Sequence, residues 1–241
     1  MRTTFLPILF AFWLSFPLLA QDSDDDFADF AAPETSETEP LVKDPLEKLN
    51  RAMFSINDGF YTKIMTPTAK GYGKVVPERL RNGLRNVFYS VHMPVRFANA
   101  VVQGDFQKGG SELARFAVNL TYGGLCLDDA ASEMLESPKP SPEDTGQTLA
   151  RYRVGPGFYI VLPVLGPSTL RDSVGLVGDV FLDPFTYFAN WQVTAGMRVA
   201  EEVNNTSLDP EAYQKLKKDA IDPYTFFRDA YMQNRTKKIA E

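Results

Sequence analysis

The sequence predicts an all-α fold in one domain, residues 44–241. Three observations lead to this prediction. Apolar residues recur at steps of three and four along most of this region, as they do on one face of a helix. Aspartate–proline pairs at 183–184, 209–210 and 222–223 are typical of helix beginnings. No sustained alternation of apolar and polar residues predicts a strand, and no sequence repeat of fixed length is found.

Residues 1–20 have the layout of a secretory signal peptide. Arg2 provides a positive start, residues 5–19 are almost wholly apolar, and Ala20 precedes a plausible cleavage point. An uncleaved anchor is the alternative, but this apolar stretch is shorter than the roughly 18–20 residues that span a bilayer. The sequence therefore predicts an exported protein.

Residues 21–43 form an acidic segment with little apolar content. Nine acidic side chains lie between positions 22 and 44, against Lys43 alone. Segments of this composition are typically disordered, so we predict a solvated leader. Residues 45–241 carry 22 acids and 23 bases, so the net charge of −6 belongs to the leader. These residues therefore carry no excess of positive charge that would attract nucleic acid, and we expect no nucleic-acid partner.

The domain opens with a predicted helix over residues 44–60, for which Asp44 is the expected N-cap and Pro45 the first helical residue. Residues 136–146 form a loop by composition, with three prolines spaced two apart. The other predicted helices are, in order, 77–92, 94–104, about 105–121, 127–135, 169–183, 190–205, 209–219 and 222–239.

One apolar segment fits neither a helix nor a strand. Glycine or proline interrupts residues 154–167 at six positions, and both residue types break regular elements. We predict an irregular segment here, followed by a helix that Ser168 caps and on which Gly175 and Gly178 offer a surface for close approach. Its apolar residues are Phe158, Tyr159, Ile160, Val161, Leu162, Val164 and Leu165.

The single cysteine and the single histidine limit the chemistry. Cys126 lies between leucines and is expected to be a small buried residue without a disulfide. A catalytic triad would have to use His92, and no nucleophile elbow is present in the sequence. A zinc site needs a cluster of Cys and His that this chain does not supply. We expect no enzyme, no metal site and no cofactor.

Four long blocks follow one another along the domain: DPLEKLNRAMFSIND, RNGLRNVFYSVHMPVRFANAVVQGD, ARFAVNLTYGGLCLDDAA and EDTGQTLARYRVGPGFYIVLPVLGPSTLRD. Together they resemble the VacJ/MlaA family of Gram-negative outer-membrane lipoproteins. The resemblance is strong over about residues 44–190 and continues weakly to about residue 231.

This resemblance implies a ring- or disc-shaped bundle of helices in the inner leaflet of the outer membrane, with a central amphipathic channel. Through it, phospholipid mislocalised to the outer leaflet would pass to a periplasmic lipid-binding shuttle protein, which maintains lipid asymmetry. The resemblance also implies association with a trimeric porin. No bond is made or broken in this role.

A phospholipid conduit needs apolar wall for the acyl chains and a few polar groups for the head group. The apolar residues between 158 and 165 are our candidates for the wall, with a close-packed core segment as the alternative. The polar candidates, for the channel or for structural roles, are Asn50, Arg51, Arg115, Asn119, Gln147, Arg171 and Asp172.

Each polar candidate also has a purely structural interpretation. Asn50 and Arg51 suit helix packing and capping, and Arg115 suits an intrahelical ion pair with Glu112. Arg171 and Asp172 suit a first-turn pair after the cap. Gly146 is interpreted as a turn residue beside the backbone-bonding amide of Gln147. The pair at 123–124 suits either a plain helix stop or a bend that shapes the ring.

The family pattern and this chain differ at the N-terminus. Family members typically carry a lipobox, whose cysteine directly follows the cleavage point and receives lipid. Here Gln21 follows Ala20, so lipid anchoring is doubtful. We expect the chain to reach the membrane through its apolar surface and porin contacts.

Five aromatic residues cluster within eleven positions, a density that suits either a core or a membrane-interface belt. The resemblance favours the interface. They are Phe181, Phe185, Tyr187, Phe188 and Trp191.

Two other functions compete with lipid transport at the membrane. A soluble periplasmic carrier of lipids or other hydrophobic ligands is the main alternative. A lipid hydrolase is the second, but the acidic pairs Glu133/Glu136 and Glu143/Asp144 are expected in solvated loops or helix ends.

Overall fold

A computed structural model describes residues 44–135 and 139–241. The predicted signal peptide and acidic leader lie outside the described residues. The described part is mostly helical, with one two-stranded sheet, which confirms the predicted all-α class. Its helices are α1 Glu47–Phe60, α2 Thr66–Val75, α3 Glu78–Val91, α4 Met93–Val102, α5 Phe106–Thr121, α6 Ala130–Met134, α7 Thr145–Arg151, α8 Leu170–Leu182, α9 Phe185–Phe188, α10 Trp191–Leu208, α11 Ala212–Asp219 and α12 Pro223–Ala240.

The first helix begins later than the sequence predicts. Asp44 does not cap α1, because its carboxylate accepts hydrogen bonds from Asn50 Nδ2 at 2.8 Å and from the Tyr224 hydroxyl. A π-helical turn, Tyr61–Met65, joins α1 to α2 without a break. Helices α2, α7 and α9 were not predicted from the sequence.

Six helices begin at side chains that accept a hydrogen bond from a backbone N–H of the first turn. Such caps satisfy donors that have no partner inside the helix, and so fix where each helix begins. The capping residues are Asp105 of α5, Asp129 of α6, Asp144 of α7, Thr169 of α8, Asn190 of α10 and Asp222 of α12.

The segment predicted to be irregular is a β-hairpin. Strand β1, Tyr159–Leu162, pairs antiparallel with β2, Gly166–Thr169. The backbone is left-handed at Val164 in the turn and at Gly166, the first residue of β2, with φ of 67° and 82°. The two strands are only four residues long, too short for the alternation of polarity to stand out. Thr169, rather than the predicted Ser168, caps α8.

Glycine allows helices α7 and α8 to pack closely together. A Cβ atom on Gly175 would lie 2.4 Å from the backbone nitrogen of Gly146, and one on Gly178 would lie 2.6 Å from Thr145 Cγ2. This confirms the predicted close-approach surface. Helix α4 packs on α5, α10 packs on α2 and α3, and the hairpin packs on α1.

A small apolar core lies where the hairpin meets α1 and α12. Its buried members are Tyr159, Val161, Tyr224 and Met232. Within the two described ranges, none of the helices is long and apolar enough to cross a bilayer.

Candidate functional site

Helix α5 buries its polar face and exposes its apolar one. Glu112, Arg115 and Asn119 form a polar row on one face of α5, and each is at most 6% exposed. On the other face, Phe106 is 71% exposed and Leu113 is 50% exposed. This is the reverse of a helix on a water-soluble protein, whose apolar stripe faces the core.

Arg96 of α4 is the partner of Glu112. Its guanidinium donates to Glu112 Oε2 at 3.0 Å and to the backbone oxygen of Tyr89 at 2.7 Å, and both side chains of the ion pair are buried. The Tyr89 ring lies 3.6 Å from the Arg96 guanidinium carbon. The alternative that paired Glu112 with Arg115 within α5 is therefore wrong, and the ion pair joins two helices instead.

Arg115 and Asn119 converge on Asp129, the cap of α6. Arg115 donates to both oxygens of Asp129 at 3.2–3.3 Å and to Ser132 Oγ at 2.6 Å. Asn119 donates to Asp129 Oδ1 at 3.0 Å and accepts from the Ala131 N–H at 2.7 Å. These contacts attach α6 to α5 across the intervening loop.

The loop after α5 has a sharply curved backbone. Gly124, Leu125 and Cys126 all have positive φ, between 59° and 66°. A Cβ on Gly123 would lie 2.2 Å from the backbone oxygen of Asp128, so only glycine fits there. The glycine pair thus ends the helix and reverses the chain. Cys126 is buried, as the sequence predicts.

The hairpin residues predicted to form an apolar wall divide into two groups. Tyr159 and Val161 are at most 3% exposed and belong to the apolar core. The other five are half-buried: Phe158, Ile160, Leu162, Val164 and Leu165. The wall function stays a prediction, and it applies to this second group.

Two asparagines of α1 hold the hairpin by its backbone. Asn50 donates to the Tyr159 oxygen at 3.1 Å and accepts from the Val161 N–H at 2.9 Å. Asn57 donates to the Leu162 oxygen at 2.8 Å and accepts from the Val164 N–H at 2.7 Å. Each side-chain amide therefore makes the pair of hydrogen bonds that one backbone residue of a neighbouring strand would make. Asn57 was missed in the sequence, although its spacing of seven places it on the same helix face as Asn50.

Arg51 lies apart from the buried groups. It forms exposed ion pairs with Asp222 at 2.8 Å and with Glu47 at 2.8 Å, and its guanidinium lies 4.5 Å from the centre of the Tyr224 ring. The hydrogen bond from Arg51 lowers the pKa of Asp222 to about 2. Arg51 thus connects α1 to the start of α12.

Asp172 is the centre of a buried charge network at the start of α8. Its Oδ1 accepts from Arg171 at 3.0 Å and from Arg235 of α12 at 2.8 Å. Its Oδ2 accepts from Thr169 Oγ1 at 2.7 Å and from the Tyr231 hydroxyl at 2.8 Å. Burial alone would raise the pKa of Asp172, but the charge of Arg235 and these donors lower it. The predicted pair of Arg171 with Asp172 is present, and it belongs to a larger network.

Asp144 extends this network to α7. Its carboxylate forms two hydrogen bonds with Arg235, at 2.6 and 2.7 Å. Burial opposes its ionisation, yet Arg235 outweighs burial and lowers the pKa of Asp144 to about 2. Nearby, burial and the charge of Asp144 raise the pKa of Asp179 to about 7. Helices α7, α8 and α12 are therefore joined through one set of charges.

Gln147 is the backbone-bonding amide that the sequence predicts. Its Nε2 donates to the Pro142 oxygen at 2.8 Å. Its neighbour Gly146 lies within α7 rather than in a turn, so that prediction is wrong. Glu143 is 7% exposed and paired with Lys108 rather than solvated. Glu136 lies outside the described residues.

Helix α10 carries a second charge network that sequence reasoning missed. His92 Nε2 lies 3.2 Å from Glu201 Oε2 and 3.0 Å from Arg198 NH1, and Arg198 also pairs with Asp183. Burial lowers the pKa of His92. Apolar and polar residues recur at helical spacing in α10, but this periodicity does not show which face of the helix is buried.

Glu202, the next residue, is buried without a cationic partner among the described residues. It accepts only from Thr206 Oγ1 at 3.3 Å, and its other oxygen has no hydrogen bond. Burial, with a further contribution from the charge of Glu201, raises its pKa to about 8. This carboxyl is therefore mainly protonated at neutral pH.

Large apolar side chains cover much of the outer surface, and we call them the exposed apolar surface. The predicted aromatic cluster contributes Phe181, Tyr187 and Phe188, the last of which is 90% exposed. Other members are Leu49, Ile56, Ile64, Val75, Leu80, Val102, Phe106, Leu113, Leu120, Tyr122, Leu125, Tyr152, Val174, Val193 and Val199. Exposed apolar surface of this extent marks contact with a membrane or a protein.

The arrangement suits a protein whose outside meets an apolar environment and whose inside is polar. Ion pairs and amide networks lie between the helices. They provide hydrogen-bond partners for buried polar groups, which would otherwise need water as a partner. Across residues 44–135 and 139–241, no three His, Cys, Asp or Glu side chains form a group suited to a metal ion.

Comparison with known proteins gives a consistent result. A family model described as "MlaA lipoprotein" matches residues 42–238. The chain is 32% identical over 202 residues to the "Intermembrane phospholipid transport system lipoprotein MlaA" of Haemophilus influenzae, covering 81% of this chain and 79% of that protein. It is 33% identical over 194 residues to the protein of the same description from Escherichia coli K12, covering 79% and 76%.

A solved structure has the same fold. It superimposes with a TM-score of 0.72 at 32% sequence identity, covering 82% of this chain and 99% of the other. That structure comes from work described as "Structural basis for maintenance of bacterial outer membrane lipid asymmetry". The match supports a ring-like bundle of helices as the architecture.

Proposed function

The chain belongs to the MlaA lipoprotein family, and from this premise we propose that it is a membrane-associated component of a phospholipid transport system in the outer membrane. It removes phospholipid that has reached the outer leaflet by mistake and so maintains the asymmetry of the membrane. Relatives at 32–33% identity carry the description of intermembrane phospholipid transport lipoproteins.

The observation that carries this proposal is the reversed polarity of α5. A helix with Arg115 buried and Phe106 exposed is stable when its outer face contacts acyl chains, because apolar side chains then leave water. A helix lying in one leaflet also satisfies its own backbone hydrogen bonds, as the hydrocarbon region requires. The amphipathic helices around it therefore suit a disc in the inner leaflet.

Within this disc, the half-buried hairpin residues between 158 and 165 form apolar wall for acyl chains. The polar groups of α1, α5, α7 and α8 fix the surrounding helices by charge pairs and amides. These contacts hold the helices around the passage in fixed positions. None of the polar groups takes part in a reaction. We propose no bond-making or bond-breaking step.

The partners in this function are a trimeric porin in the outer membrane and a periplasmic phospholipid-binding shuttle protein. A porin offers an apolar outer wall against which part of the exposed apolar surface can pack. The shuttle receives the lipid on the periplasmic side. Residues 1–20 direct export, residues 21–43 form the acidic leader, and residues 44–241 form the transport domain.

Deletion of the gene tests the function directly. We expect phospholipid to accumulate in the outer leaflet, measured by labelling of surface-exposed lipid, together with increased sensitivity to detergent. The gene supplied in trans restores both. Unchanged asymmetry in the deletion strain contradicts the proposal. Recovery of the protein wholly in the soluble fraction after carbonate extraction would instead indicate the soluble carrier.

A further inference from the structure

The end of α7 presents two exposed arginines beside exposed apolar side chains. Arg151 is the last residue of the helix and Arg153 lies two positions later, and neither has a hydrogen-bond or ion-pair partner among the described residues. Tyr152 and Val154, which alternate with them, are 63% and 45% exposed. We call residues 151–154 the basic patch. None of the roles described above uses its arginines.

The backbone of the basic patch favours glycine at the position that Arg153 occupies. The Arg153 N–H donates to the Ala150 oxygen at 2.8 Å. The Val154 N–H donates to the Leu149 oxygen at 3.0 Å. These two bonds form a Schellman motif, a helix end whose left-handed residue is usually glycine.

Arg153 has this left-handed backbone, with φ of 65°. A side chain is unfavourable there, because its Cβ atom crowds the carbonyl oxygen that follows. Non-glycine residues held in such conformations are concentrated at functional sites. Arg151, by contrast, lies in the last turn of a helix, where positive charge is favoured in any case. Arg153 is therefore the residue of the patch whose presence points to a role.

The basic patch is held firmly against the rest of the fold. The Tyr152 hydroxyl donates to the Val102 oxygen at 2.7 Å. At the start of α7, Asp144 forms two hydrogen bonds with Arg235 of α12. Side chains on a fixed backbone lose less conformational entropy on binding than side chains on a mobile loop. The patch is therefore preorganised to meet a surface.

The patch continues the exposed apolar surface. Val102, which Tyr152 contacts, is 53% exposed, and Phe106, beyond the α4–α5 turn, is 71% exposed. Under the proposed function, this surface lies against lipid. An arginine at its border can rest its aliphatic stem on apolar groups while the guanidinium reaches a phosphate. Tyrosine is likewise enriched at the level of the lipid head groups.

The two arginines differ in their surroundings. Arg151 lines a small cleft whose other charged residues are Asp105, Glu143, Lys238 and Glu241. The carboxylates of this cleft offset part of the positive charge beside Arg151. Arg153 is not among the residues that line the cleft, and none of the described acidic side chains pairs with it. We expect Arg153 to make the larger contribution to binding an anion.

We infer that the basic patch binds the phosphate groups of anionic phospholipids at the surface of the bilayer, with Arg153 as the main contact. Its guanidinium donates hydrogen bonds to lipid phosphate, while Tyr152 and Val154 rest against the apolar region below. A bilayer surface suits both parts of the patch, because it offers negative charge and apolar area side by side. This inference rests on the proposed function for the membrane contact, and it adds a lipid class and the residue that recognises it.

Binding of the full chain to vesicles of two compositions tests the inference. One set is pure phosphatidylcholine, and the other is an equal mixture of phosphatidylcholine and phosphatidylglycerol. Binding is measured by sedimentation at low and at high salt. We expect the wild type to bind the mixed vesicles more tightly, and this preference to decrease at high salt because salt screens exposed charges.

Three substitutions of Arg153 separate its charge from its backbone conformation. Arg153→Gln removes only the charge, so binding to mixed vesicles should weaken about fivefold, while binding to pure phosphatidylcholine stays unchanged. Arg153→Lys keeps the charge and should keep the preference for mixed vesicles. Arg153→Gly removes the charge and suits the left-handed backbone, so it should lose the preference and yet unfold at a higher temperature than the wild type in detergent. Arg79→Gln, at an exposed arginine of α3, is the matched control and leaves the preference unchanged.

Three results overturn the inference. If Arg153→Gln keeps the wild-type preference, the patch does not bind lipid, and the acidic leader is then the better candidate for its partner. An equal loss in Arg79→Gln shows that net charge acts rather than this patch. Arg153→Gly unfolding below the wild type shows that the arginine serves the fold. A failure of the proposed function is distinguishable, because the deletion strain then keeps its lipid asymmetry whatever the vesicles bind.

Discussion

The hairpin unit and helix α5 bury opposite kinds of side chain. Where β1 meets α1 and α12, the buried residues are apolar, with Tyr159 and Val161 at most 3% exposed. In α5 the buried residues are charged or amide side chains, and the large apolar ones face outward. The first region is organised like the core of a soluble protein, and the second is its reverse.

This difference shows that the two regions are stabilised by different forces. The hairpin region gains free energy by removing apolar area from water, whatever surrounds the protein. In α5, specificity comes from ion pairs such as Arg96 with Glu112, and the apolar residues leave water only when the outer face has a partner. The structure therefore has a small apolar core whose burial does not depend on the surroundings, and an outer apolar surface that leaves water only on contact with a membrane or a protein.

The largest expected effect comes from breaking the buried ion pair of the inverted region. Glu112→Ala leaves Arg96 buried without its carboxylate, and we expect a loss of about 3–5 kcal/mol in the free energy of unfolding. The measurement is denaturant unfolding in detergent. The double variant Arg96→Met/Glu112→Leu restores packing without charges and should recover most of the loss. A single variant as stable as wild type would show that this pair is not structural.

The next effect is the pH dependence of the polar interior. Burial raises the pKa of Glu202 from 4.5 to about 8, so ionisation is disfavoured in the folded state. The wild type therefore loses stability as pH rises from about 4.5 to about 8, because the folded chain keeps a proton that the unfolded chain releases.

Glu202→Gln removes this titration. We expect equal stability near pH 4 and a variant that is more stable at pH 8 by about 1–3 kcal/mol, measured by thermal or denaturant unfolding across pH. Glu78→Gln, at an exposed carboxylate, is the control and leaves the pH profile unchanged. A Glu202→Gln profile parallel to that of the wild type contradicts the shifted pKa.

A smaller effect on folding but a larger one on transport is expected within the hairpin. Leu162→Asp places a charge on a half-buried side chain of β1, and we expect it to cost less than about 2 kcal/mol while it strongly impairs restoration of lipid asymmetry. Its neighbour Val161 faces the core, so Val161→Asp should fail to accumulate. If Leu162→Asp also fails to accumulate, the segment is core and the wall hypothesis is wrong.

The smallest effect on stability is expected at the outer surface. Phe188 is 90% exposed, so Phe188→Glu should change the free energy of unfolding by less than about 0.5 kcal/mol. Binding to zwitterionic vesicles, measured by sedimentation, should fall roughly tenfold or more, because burying one phenyl ring contributes about 1.5–3 kcal/mol. Lys218→Gln makes the same change in net charge at an exposed site and should bind as wild type does. Unchanged binding of Phe188→Glu would place this aromatic residue outside the membrane contact.

Sequence reasoning found the helices whose beginnings or apolar stripes are strong. The helix predicted over about residues 105–121 agrees closely with the observed bounds of α5, Phe106–Thr121. Sequence reasoning missed α2, which continues α1 through a π turn and has no start of its own. It also missed the hairpin, because Pro163 and four-residue strands conceal the alternation that predicts β structure.

Sequence analysis predicted which residues belong to the candidate site, but it did not predict how they are arranged in space. Asn50, Arg115, Asn119, Gln147, Arg171 and Asp172 are all buried, as candidates for polar groups of the interior should be. Apart from the Arg171–Asp172 pair and the backbone-bonding role of Gln147, their partners were not predicted, because Asp129, Arg235 and the hairpin backbone belong to other elements of the fold. Sequence spacing identifies neighbours within a helix and gives no distance between helices.

The sequence by itself determined the helical class, the amphipathic character of α5 and the glycines that allow α7 and α8 to approach. These follow from local rules, namely periodicity, capping and the absence of a Cβ atom. Only the tertiary structure decided which face is buried. The same periodicity describes a helix with its apolar side in or out, and long-range ion pairs such as Arg96 with Glu112 select the polar side as the interior.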